Sequence, residues 1–261
     1  MPLCWIPAEK TGLYTRNKEK TMDIKLGIIG AMEQEVETLL ALMESRKESR
    51  HAGSTFHEGI LCGLPVVVVQ CGIGKVNAAL CAQILCDCYG ITQLTNTGIA
   101  GSLCNDLDIG DLVISQDAMH HDFDCCHFGY PKGQVAGMDV VSFPADETLM
   151  AYAFAAAEKI HPGHVKTGRI ASGDQFVSSS QVKNGIIETT HALCTEMEGA
   201  AIAQTAYRNK IPFVIIRAIS DKADNSAQMD YPTFEKQAAH RCAEVTQALA
   251  SQLCLAAQEQ A

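Results

Sequence analysis

The sequence predicts an α/β fold: a single domain in which helices flank a central, twisted sheet that is mixed but mostly parallel. From Ile24 onwards, strand-like and helix-like segments alternate along the chain, a pattern typical of βαβ units. Several of the strand-like segments are apolar throughout, as expected for parallel strands that are covered on both faces. Because no internal repeat or linker interrupts the alternation, we expect one domain over residues 23–255.

The two ends of the chain fall outside this pattern. Residues 1–22 contain the only Trp and lack the apolar core of about 7 to 15 residues that a secretory signal needs. We expect them to be an N-terminal extension without a function, or the result of an upstream start assignment, with the working domain beginning near Met22. Residues 256–261 are expected to form a C-terminal tail.

The composition argues against several classes of function. The 261 residues carry 20 Lys and Arg against 30 Asp and Glu, a formal net charge of −10. This acidic balance argues against nucleic acids and anionic membranes as partners, because both would repel the protein. No apolar run approaches the roughly 18 to 20 residues of a membrane-spanning helix. The 12 cysteines are too dilute for a disulfide scaffold, which indicates a reduced, cytoplasmic setting.

The first half of the chain predicts two strand–helix units with a hairpin between them. Residues 24–30 are apolar apart from Lys25 and end at a glycine, which is typical of a buried strand followed by a turn. Residues 33–43 place apolar side chains at helical spacing. Residues 56–61 and 66–70 form a strand pair joined by a Gly-Pro turn. Residues 76–88, rich in Ala and Leu, then predict the second helix.

The second half continues the alternation with longer elements. We expect strands at 92–97, 111–115, 165–171 and 212–220, the last of which is apolar except for one Arg. Apolar residues at helical spacing or high Ala content predict helices at 146–160, 198–207 and 233–255. Residues 120–137 are polar and irregular, so a long loop is expected there.

Residues just past each strand are the first candidates for a site, because ligands of α/β sheets bind at the carboxyl ends of the strands. They are Met32, Glu33, Glu35, Ile73, Gly74, Ile99, Ala100, Gly101, Ser172, Gly173, Asp174, Ser220 and Asp221. Carboxylates recur among them, and glycines allow a ligand to approach the backbone. The turn at 72–74 lacks the third glycine of a dinucleotide fingerprint, which argues against a nucleotide cofactor.

Three further residues stand out because their charges fall in apolar surroundings. Glu196 and Glu198 flank Met197 at the start of an Ala-rich helix, where the helix dipole accounts more easily for one acid than for two. Arg217 lies inside an apolar strand, where an unpaired charge would cost several kcal/mol. We therefore expect Arg217 to pair with Glu196 or Glu198.

Six motifs occur in an order that resembles one known family. They are GIIGAMEQEV at 27–36, CGIGKVNAA at 71–79, NTGIAG at 96–101, SGDQF at 172–176, TEME at 195–198 and RAISDKAD at 217–224. Together they resemble the bacterial 5′-methylthioadenosine/S-adenosylhomocysteine nucleosidases of the nucleoside phosphorylase superfamily. The resemblance implies a nucleoside phosphorylase-like fold and hydrolysis of the N-glycosidic bond of an adenine nucleoside with a 5′-thioether. Adenine and a 5-thio-substituted ribose would be released, in methionine salvage and S-adenosylhomocysteine removal.

The resemblance also implies three catalytic carboxyl groups. Asp221 matches the general acid that shares a proton with N7 of adenine, and Glu35 matches the group that orients or deprotonates the attacking water. Glu198 matches the group that holds the ribose hydroxyls. Cleavage of the bond builds negative charge on the base and positive charge on the sugar, so these roles agree with the chemistry. Neither a cofactor nor a metal is implied.

Further residues match positions around the substrate. Met197 would pack on the sugar, Arg217 would lie near the ribose and the water, and Ser220 would support the acid. Adenine would be held by Phe176 and the backbone of Val177. The remaining substrate-binding positions are matched by Met32, Ile73, Ala100, Gly101 and Tyr231. Of these, Tyr231 stands where the family often has Phe.

The loop after residue 119 matches the family's dimer-interface loop. The resemblance therefore implies a homodimer in which Cys125, Phe128 and Tyr130 close the pocket of the neighbouring subunit. Residues 120–127 include many potential zinc ligands, but their tight spacing does not match the separated pairs of a zinc site. We therefore interpret this segment as a lid and not as a metal centre.

Three alternatives remain open at this level. The family usually has Ser where Ile99 stands, and that Ser helps to surround the water, so a silent nucleoside-binding protein of the same fold is one alternative. A phosphorylase is another, although Asn96 and Thr97 occupy the place of a phosphate-binding Arg, which leaves Lys75 and Arg217 as conceivable substitutes. The third is a hydrolase with a preference for 5′-deoxyadenosine or a futalosine-like compound.

Overall fold

The computed structural model describes residues 24–259, apart from the side chains of residues 228 and 229. The strands are β1 Leu26–Gly30, β2 Glu44–His51, β3 Ser54–Leu61, β4 Leu64–Gln70, β5 Gln93–Ser102, β6 Leu112–His120, β7 Phe143–Pro144, β8 Val165–Ser172, β9 Cys194–Glu196 and β10 Phe213–Asp221. The helices are α1 Glu33–Leu42, α2 Lys75–Tyr89, α3 Glu147–Ile160, α4 Ser180–Thr190, α5 Gly199–Asn209 and α6 Ala227–Glu259. The predicted extension over residues 1–22 lies outside the described residues.

The centre of the sheet is parallel, as predicted. Strand β1 is buried along its whole length and pairs in parallel with both β4 and β5. Strand β10 continues this arrangement on the other side of β5. The carboxyl ends of these strands therefore meet at one edge of the sheet, which is where ligands of α/β folds bind.

The sheet also closes on itself, a feature that alternation along the chain did not predict. Strand β5 pairs with β10 on one side and with β9 on the other. Strands β6 and β8 complete the circuit, since β10 pairs with β6, β6 with β8, and β8 with β9. Closure brings the ends of β9 and β10 to the same region as the end of β5.

Two apolar cores lie on opposite faces of the sheet and confirm that helices flank it. One core includes Leu85 of α2 and Ile202 of α5. The other includes Leu39 of α1, Ala153 of α3 and Leu249 of α6. Burial of such side chains contributes about 1.5–3 kcal/mol for each of the larger ones. Of the helices that the structure describes, none combines the length and the apolar character that crossing a bilayer requires.

Several elements differ from the sequence expectation, each for a local reason. Strand β2 was missed because its sequence, ESRKESRH, is charged and almost fully exposed. It is an edge strand held by backbone pairing with β3, and its charges discourage pairing with another chain. Strand β9 has three residues and helix α4 is mostly polar, so neither gives a clear periodic signal. Helix α6 continues through Glu259, beyond the expected start of the tail.

Candidate active site

Glu35 is anchored at the start of α1 by three backbone N–H groups. Its Oε2 accepts hydrogen bonds from the N–H of Ala31 at 2.6 Å and of Met32 at 2.9 Å. Its Oε1 accepts from the N–H of Ile99 at 3.1 Å. The first two donors belong to the helix N-terminus, where carboxylates are stabilised, and the third belongs to the neighbouring strand β5.

Space for this carboxylate depends on Gly98. A Cβ atom at Gly98 would lie 2.5 Å from Glu35 Oε1, closer than atoms normally approach. Burial raises the pKa of the Glu35 carboxyl, and the positive charge of Arg217 opposes this shift only in part. A buried carboxyl group with a raised pKa is suited to proton exchange near neutral pH.

Arg217 pairs with Glu196, which decides between the two partners that the sequence left open. Its guanidinium is 2% exposed, and Nη2 donates to Glu196 Oε2 and to the side-chain oxygen of Asn96. Glu196 also accepts the hydroxyl of Ser172. Burial acts to raise the pKa of Glu196, but the charge and hydrogen bonds of Arg217 outweigh it and lower the pKa. This buried ion pair joins the end of β9 to β10.

Glu198 lies two residues beyond Glu196, at the start of α5. Its Oε1 accepts the N–H of Gly74 at 2.7 Å, across 124 residues of sequence. Burial raises the pKa of Glu198, and the negative charge of Glu196 raises it further. The charge of Glu35 also acts on Glu198 in the same direction, which indicates that these two side chains face a common space. Met197, between the two acids, is partly buried.

Asp221 ends strand β10 and is held on both oxygens. Oδ1 accepts the N–H of Ala223 at 2.8 Å, and Oδ2 accepts the hydroxyl of Ser220 at 2.9 Å. Burial raises the pKa of the Asp221 carboxyl against these hydrogen bonds. A Cβ atom at Gly101 would lie 2.8 Å from Asp221 Oδ1, so that glycine allows the close packing of β5 against this carboxyl.

The apolar residues expected around a substrate lie beside these carboxyl groups. The rings of Phe176 and Tyr231 meet edge to face with centroids 5.5 Å apart. The hydroxyl of Tyr231 donates to Met32 Sδ at 3.2 Å. Ile73 is 55% exposed and Phe176 is 46% exposed, which leaves apolar surface open at the mouth of the site.

Two expected positions are buried in apolar clusters. Val177 lies in a third apolar cluster with Ile186 and Ala223. Ile99 is likewise buried, in the core on the α6 face. Its N–H nevertheless binds Glu35, so the backbone here supplies a contact at the position where the resemblance expects Ser.

The lid residues stand apart from the carboxyl groups of their own chain. Cys125, Phe128 and Tyr130 lie in the loop between β6 and β7, which contains a single 3₁₀ turn at Cys126–Phe128. Phe128 is 76% exposed and contacts the ring of His127. The loop is joined to the site through Asp122, whose carboxylate accepts the ammonium of Lys75 and the N–H of Asp174.

The loops of the site are held together by residues whose contacts the sequence did not predict. Asp174, one of the candidates just past a strand, accepts the N–H of Lys75 at the start of α2 on its Oδ1, at 2.8 Å. Together with Asp122 it connects three separate loops. The signal available in the sequence was the position of Asp174 directly after a strand, within a motif shared with the family.

Potential metal ligands do not converge in the loop at 120–127. Among residues 24–259, the group of three that lies close enough is Asp111, His161 and His164. His164 Nδ1 and Asp111 Oδ1 are 2.8 Å apart. The guanidinium of Arg241 lies 3.2 Å from His161 Nε2, and its positive charge disfavours a cation at this place.

Comparison with known proteins identifies the family of this chain. Residues 25–251 match the family model described as the phosphorylase superfamily. A 5′-methylthioadenosine/S-adenosylhomocysteine nucleosidase of Chromohalobacter salexigens is 42% identical over 230 residues, which are 88% of this chain and 97% of that protein.

Solved structures give the same result. One is the 5′-methylthioadenosine/S-adenosylhomocysteine nucleosidase of Neisseria meningitidis, solved in complex with methylthio-immucillin-A. It is 40% identical to this chain and superposes with a TM-score of 0.84, over 87% of this chain and 99% of its own. The futalosine hydrolase of Helicobacter pylori superposes with a TM-score of 0.84 at 32% identity, over 89% of this chain and 100% of its own. The matched length, the identity and the common fold confirm the resemblance of the six motifs: the chain belongs to the 5′-methylthioadenosine/S-adenosylhomocysteine nucleosidase family of the phosphorylase superfamily.

Proposed function

We propose that this protein hydrolyses the N-glycosidic bond of 5′-methylthioadenosine and S-adenosylhomocysteine, and releases adenine and the 5-thio-substituted ribose. The observation that carries the proposal is that three buried carboxyl groups, Glu35, Glu198 and Asp221, lie at or just beyond the ends of strands of one sheet, each held by a backbone N–H. Burial raises the pKa of all three groups, and a raised pKa favours the protonated form that a general acid needs.

The roles of the three groups follow from where charge develops. Asp221 donates or shares a proton with N7 of adenine and so neutralises the leaving base. Glu35 accepts a proton from the attacking water, and the N–H of Ile99 fixes the direction of its Oε1. Glu198 binds the ribose hydroxyls and so holds the sugar in place while the oxocarbenium ion develops. Each positioned proton-transfer group is worth roughly 10²–10⁴-fold in rate.

The substrate is positioned by the residues beside these groups. Phe176 and the backbone of Val177 hold adenine, Met197 packs on the sugar, and Ser220 orients Asp221. Arg217 acts through Glu196, to which it is bound. The ribose and the 5′ arm are lined by Met32, Ile73, Ala100, Gly101 and Tyr231.

Water is favoured over phosphate as the nucleophile because the nearby cations are already paired. A phosphorylase needs free positive charge to hold the phosphate dianion. The guanidinium of Arg217 binds Glu196, and the ammonium of Lys75 binds Asp122. An inorganic phosphate at this site would therefore have to break a carboxylate pair.

The protein is proposed to act as a cytoplasmic homodimer. Val76 and Leu80 are exposed on α2, Ile73 is exposed in the turn before it, and Phe128 is exposed in the nearby loop. An apolar surface of this kind is typical of an interface between subunits. In the dimer, Cys125, Phe128 and Tyr130 would close the partner's pocket. The cysteines within residues 24–259 form no disulfide, which supports a reducing compartment.

The test is adenine release from both thioethers in phosphate-free buffer and again with phosphate. Hydrolysis predicts the same rate in both buffers, whereas release only with phosphate would contradict the proposal. Binding of both nucleosides without release would point to the silent nucleoside-binding alternative. Addition of 5′-deoxyadenosine and futalosine to the panel ranks the 5′ substituents that the pocket accepts.

A further inference from the structure

A group of polar side chains lies at the 5′ side of the proposed site and is not needed for bond cleavage. Gln34 of α1 and Glu235 of α6 face each other, with Gln34 Nε2 and Glu235 Oε2 3.5 Å apart. The phenol of Tyr231, one helical turn before Glu235, interacts with the same carboxylate. We refer to Gln34, Tyr231 and Glu235 as the 5′ polar cluster.

The cluster surrounds the sulfur of Met32, a residue expected to line the ribose and the alkylthio end. Met32 Sδ lies 3.2 Å from the hydroxyl of Tyr231 and 3.8 Å from Gln34 Nε2. The charges of Glu35 and Asp221 both act on the Tyr231 phenol. Tyr231 contacts Met32, whose backbone N–H binds the Glu35 carboxylate at 2.9 Å, so the cluster adjoins the proposed reaction centre. A 5′ arm that extends past Met32 and Tyr231 would reach the Glu235 carboxylate.

The cluster carries the negative charge of Glu235, and its other two members, Tyr231 and Gln34, are uncharged. Burial raises the pKa of Tyr231, and the negative charge of Glu235 raises it further, so the phenol stays protonated. Gln34 is uncharged, so neither of these two partners neutralises the carboxylate. Asp230 adds negative charge in the first turn of α6. A cationic group at this place gains an ion pair, and an anionic group is repelled.

We infer that the 5′ polar cluster selects 5′-thioadenosines whose 5′ arm carries an ammonium group over those with a neutral or anionic arm. The inference rests on the proposed function, since it assigns the substrate preference of that same site. Glu235 supplies the negative charge, and Tyr231 and Gln34 hold it beside the path of the arm. A Phe at position 231 would remove the hydroxyl that interacts with Glu235.

The test uses three substrates that differ in the charge of the arm: 5′-deoxy-5′-thioadenosines with a 3-aminopropyl, a propyl or a 3-carboxypropyl group on sulfur. Partly exposed ion pairs are typically worth up to about 1 kcal/mol, or about fivefold. We therefore expect kcat/KM to be about three- to fivefold higher for the aminopropyl than for the propyl arm, and lower again for the carboxypropyl arm. The aminopropyl preference should decrease as the salt concentration rises.

Variants assign the preference to the cluster. In Glu235→Gln the ratio of aminopropyl to propyl kcat/KM should fall to near one, and in Tyr231→Phe it should fall in part. Glu244→Gln changes a half-exposed carboxylate further along the same helix, next to His240, and should keep the wild-type ratio. An equal ratio in wild type and Glu235→Gln would overturn the inference alone. No release from any of the three arms would overturn the proposed function, and the inference with it.

Discussion

Gly98→Ala is expected to impair catalysis because it displaces the carboxylate of Glu35, the proposed base, while the protein stays folded. The new Cβ atom would lie 2.5 Å from Glu35 Oε1 and 2.9 Å from its carboxyl carbon, whereas ordinary contact begins near 3.4 Å. The carboxylate must therefore move by about 0.9 Å, and this movement breaks the hydrogen bond from the Ile99 N–H. A misplacement of about 1 Å costs roughly 10²-fold in rate.

The assay is adenine release from methylthioadenosine, with kcat and KM measured separately. We expect kcat to fall about 10²-fold, while the free energy of unfolding falls by about 1–3 kcal/mol from the local overpacking. In a Glu35→Gln background, Gly98→Ala should reduce kcat little further, because both changes act on one group. Gly185→Ala is the matched control, since a Cβ atom at Gly185 meets nothing within 4 Å.

A wild-type kcat in Gly98→Ala would refute this reasoning, because it would mean that the position of the Glu35 carboxylate does not matter. Equal losses from Gly98→Ala in the wild-type and Glu35→Gln backgrounds would also refute it. In that case the substitution would act through the general packing of β5 and not through the proposed base.

Three further predictions concern the other ionisable groups of the site. Asp221→Asn should abolish adenine release and leave the thermal midpoint unchanged or higher, because a buried carboxyl with a raised pKa costs stability when it ionises. Glu196→Gln should lower the free energy of unfolding, measured in urea, by about 3–5 kcal/mol, because it leaves Arg217 charged and buried without its partner. Burial lowers the pKa of His120 and His121, so the unfolded chain binds more protons at these two positions. The urea midpoint of the wild type relative to that of a double variant, His120→Gln with His121→Gln, should therefore fall as the pH drops below about 6.5.

The control for Glu196→Gln is a change at an exposed ion pair, and each of the three predictions has an outcome that would contradict it. Glu48→Gln removes an exposed partner of Arg46 and should change the free energy of unfolding by less than about 1 kcal/mol. Near-normal turnover in Asp221→Asn would remove that residue from the mechanism. A loss for Glu196→Gln no larger than for Glu48→Gln would show that the buried pair is not coupled. A difference in urea midpoint between the wild type and the double histidine variant that is constant between pH 5 and 8 would contradict the sign derived for the two histidines.

Elements with a strong periodic or apolar signal were predicted well. Strand β10 was expected at 212–220 and is found at Phe213–Asp221, and helix α3 was expected at 146–160 and is found at Glu147–Ile160. The α/β class and the family resemblance are also confirmed. Strand β2 could not be predicted, because its stability comes from pairing with β3 and not from side chains that alternate between core and solvent.

The candidate site was also predicted only in part: its chemical groups were predicted, and the contacts that hold them were not. Its chemical groups, Glu35, Glu198 and Asp221, were recognisable because they stand beside strand ends within ordered motifs. Their supports were not recognisable. The partner of Arg217 stayed undecided between two acids, and Asp174 gave no sign that it would bind the start of α2.

The sequence by itself determined which chemical groups this protein carries and at which strand ends they stand, because residue type and local periodicity are properties of short segments. Only the tertiary structure decided which groups meet. Glu35 binds the N–H of Ile99, 64 residues away, and Glu198 binds the N–H of Gly74, 124 residues away. Such contacts depend on strand register and on closure of the sheet, which are set by the packing of the whole chain and leave no trace in any single segment.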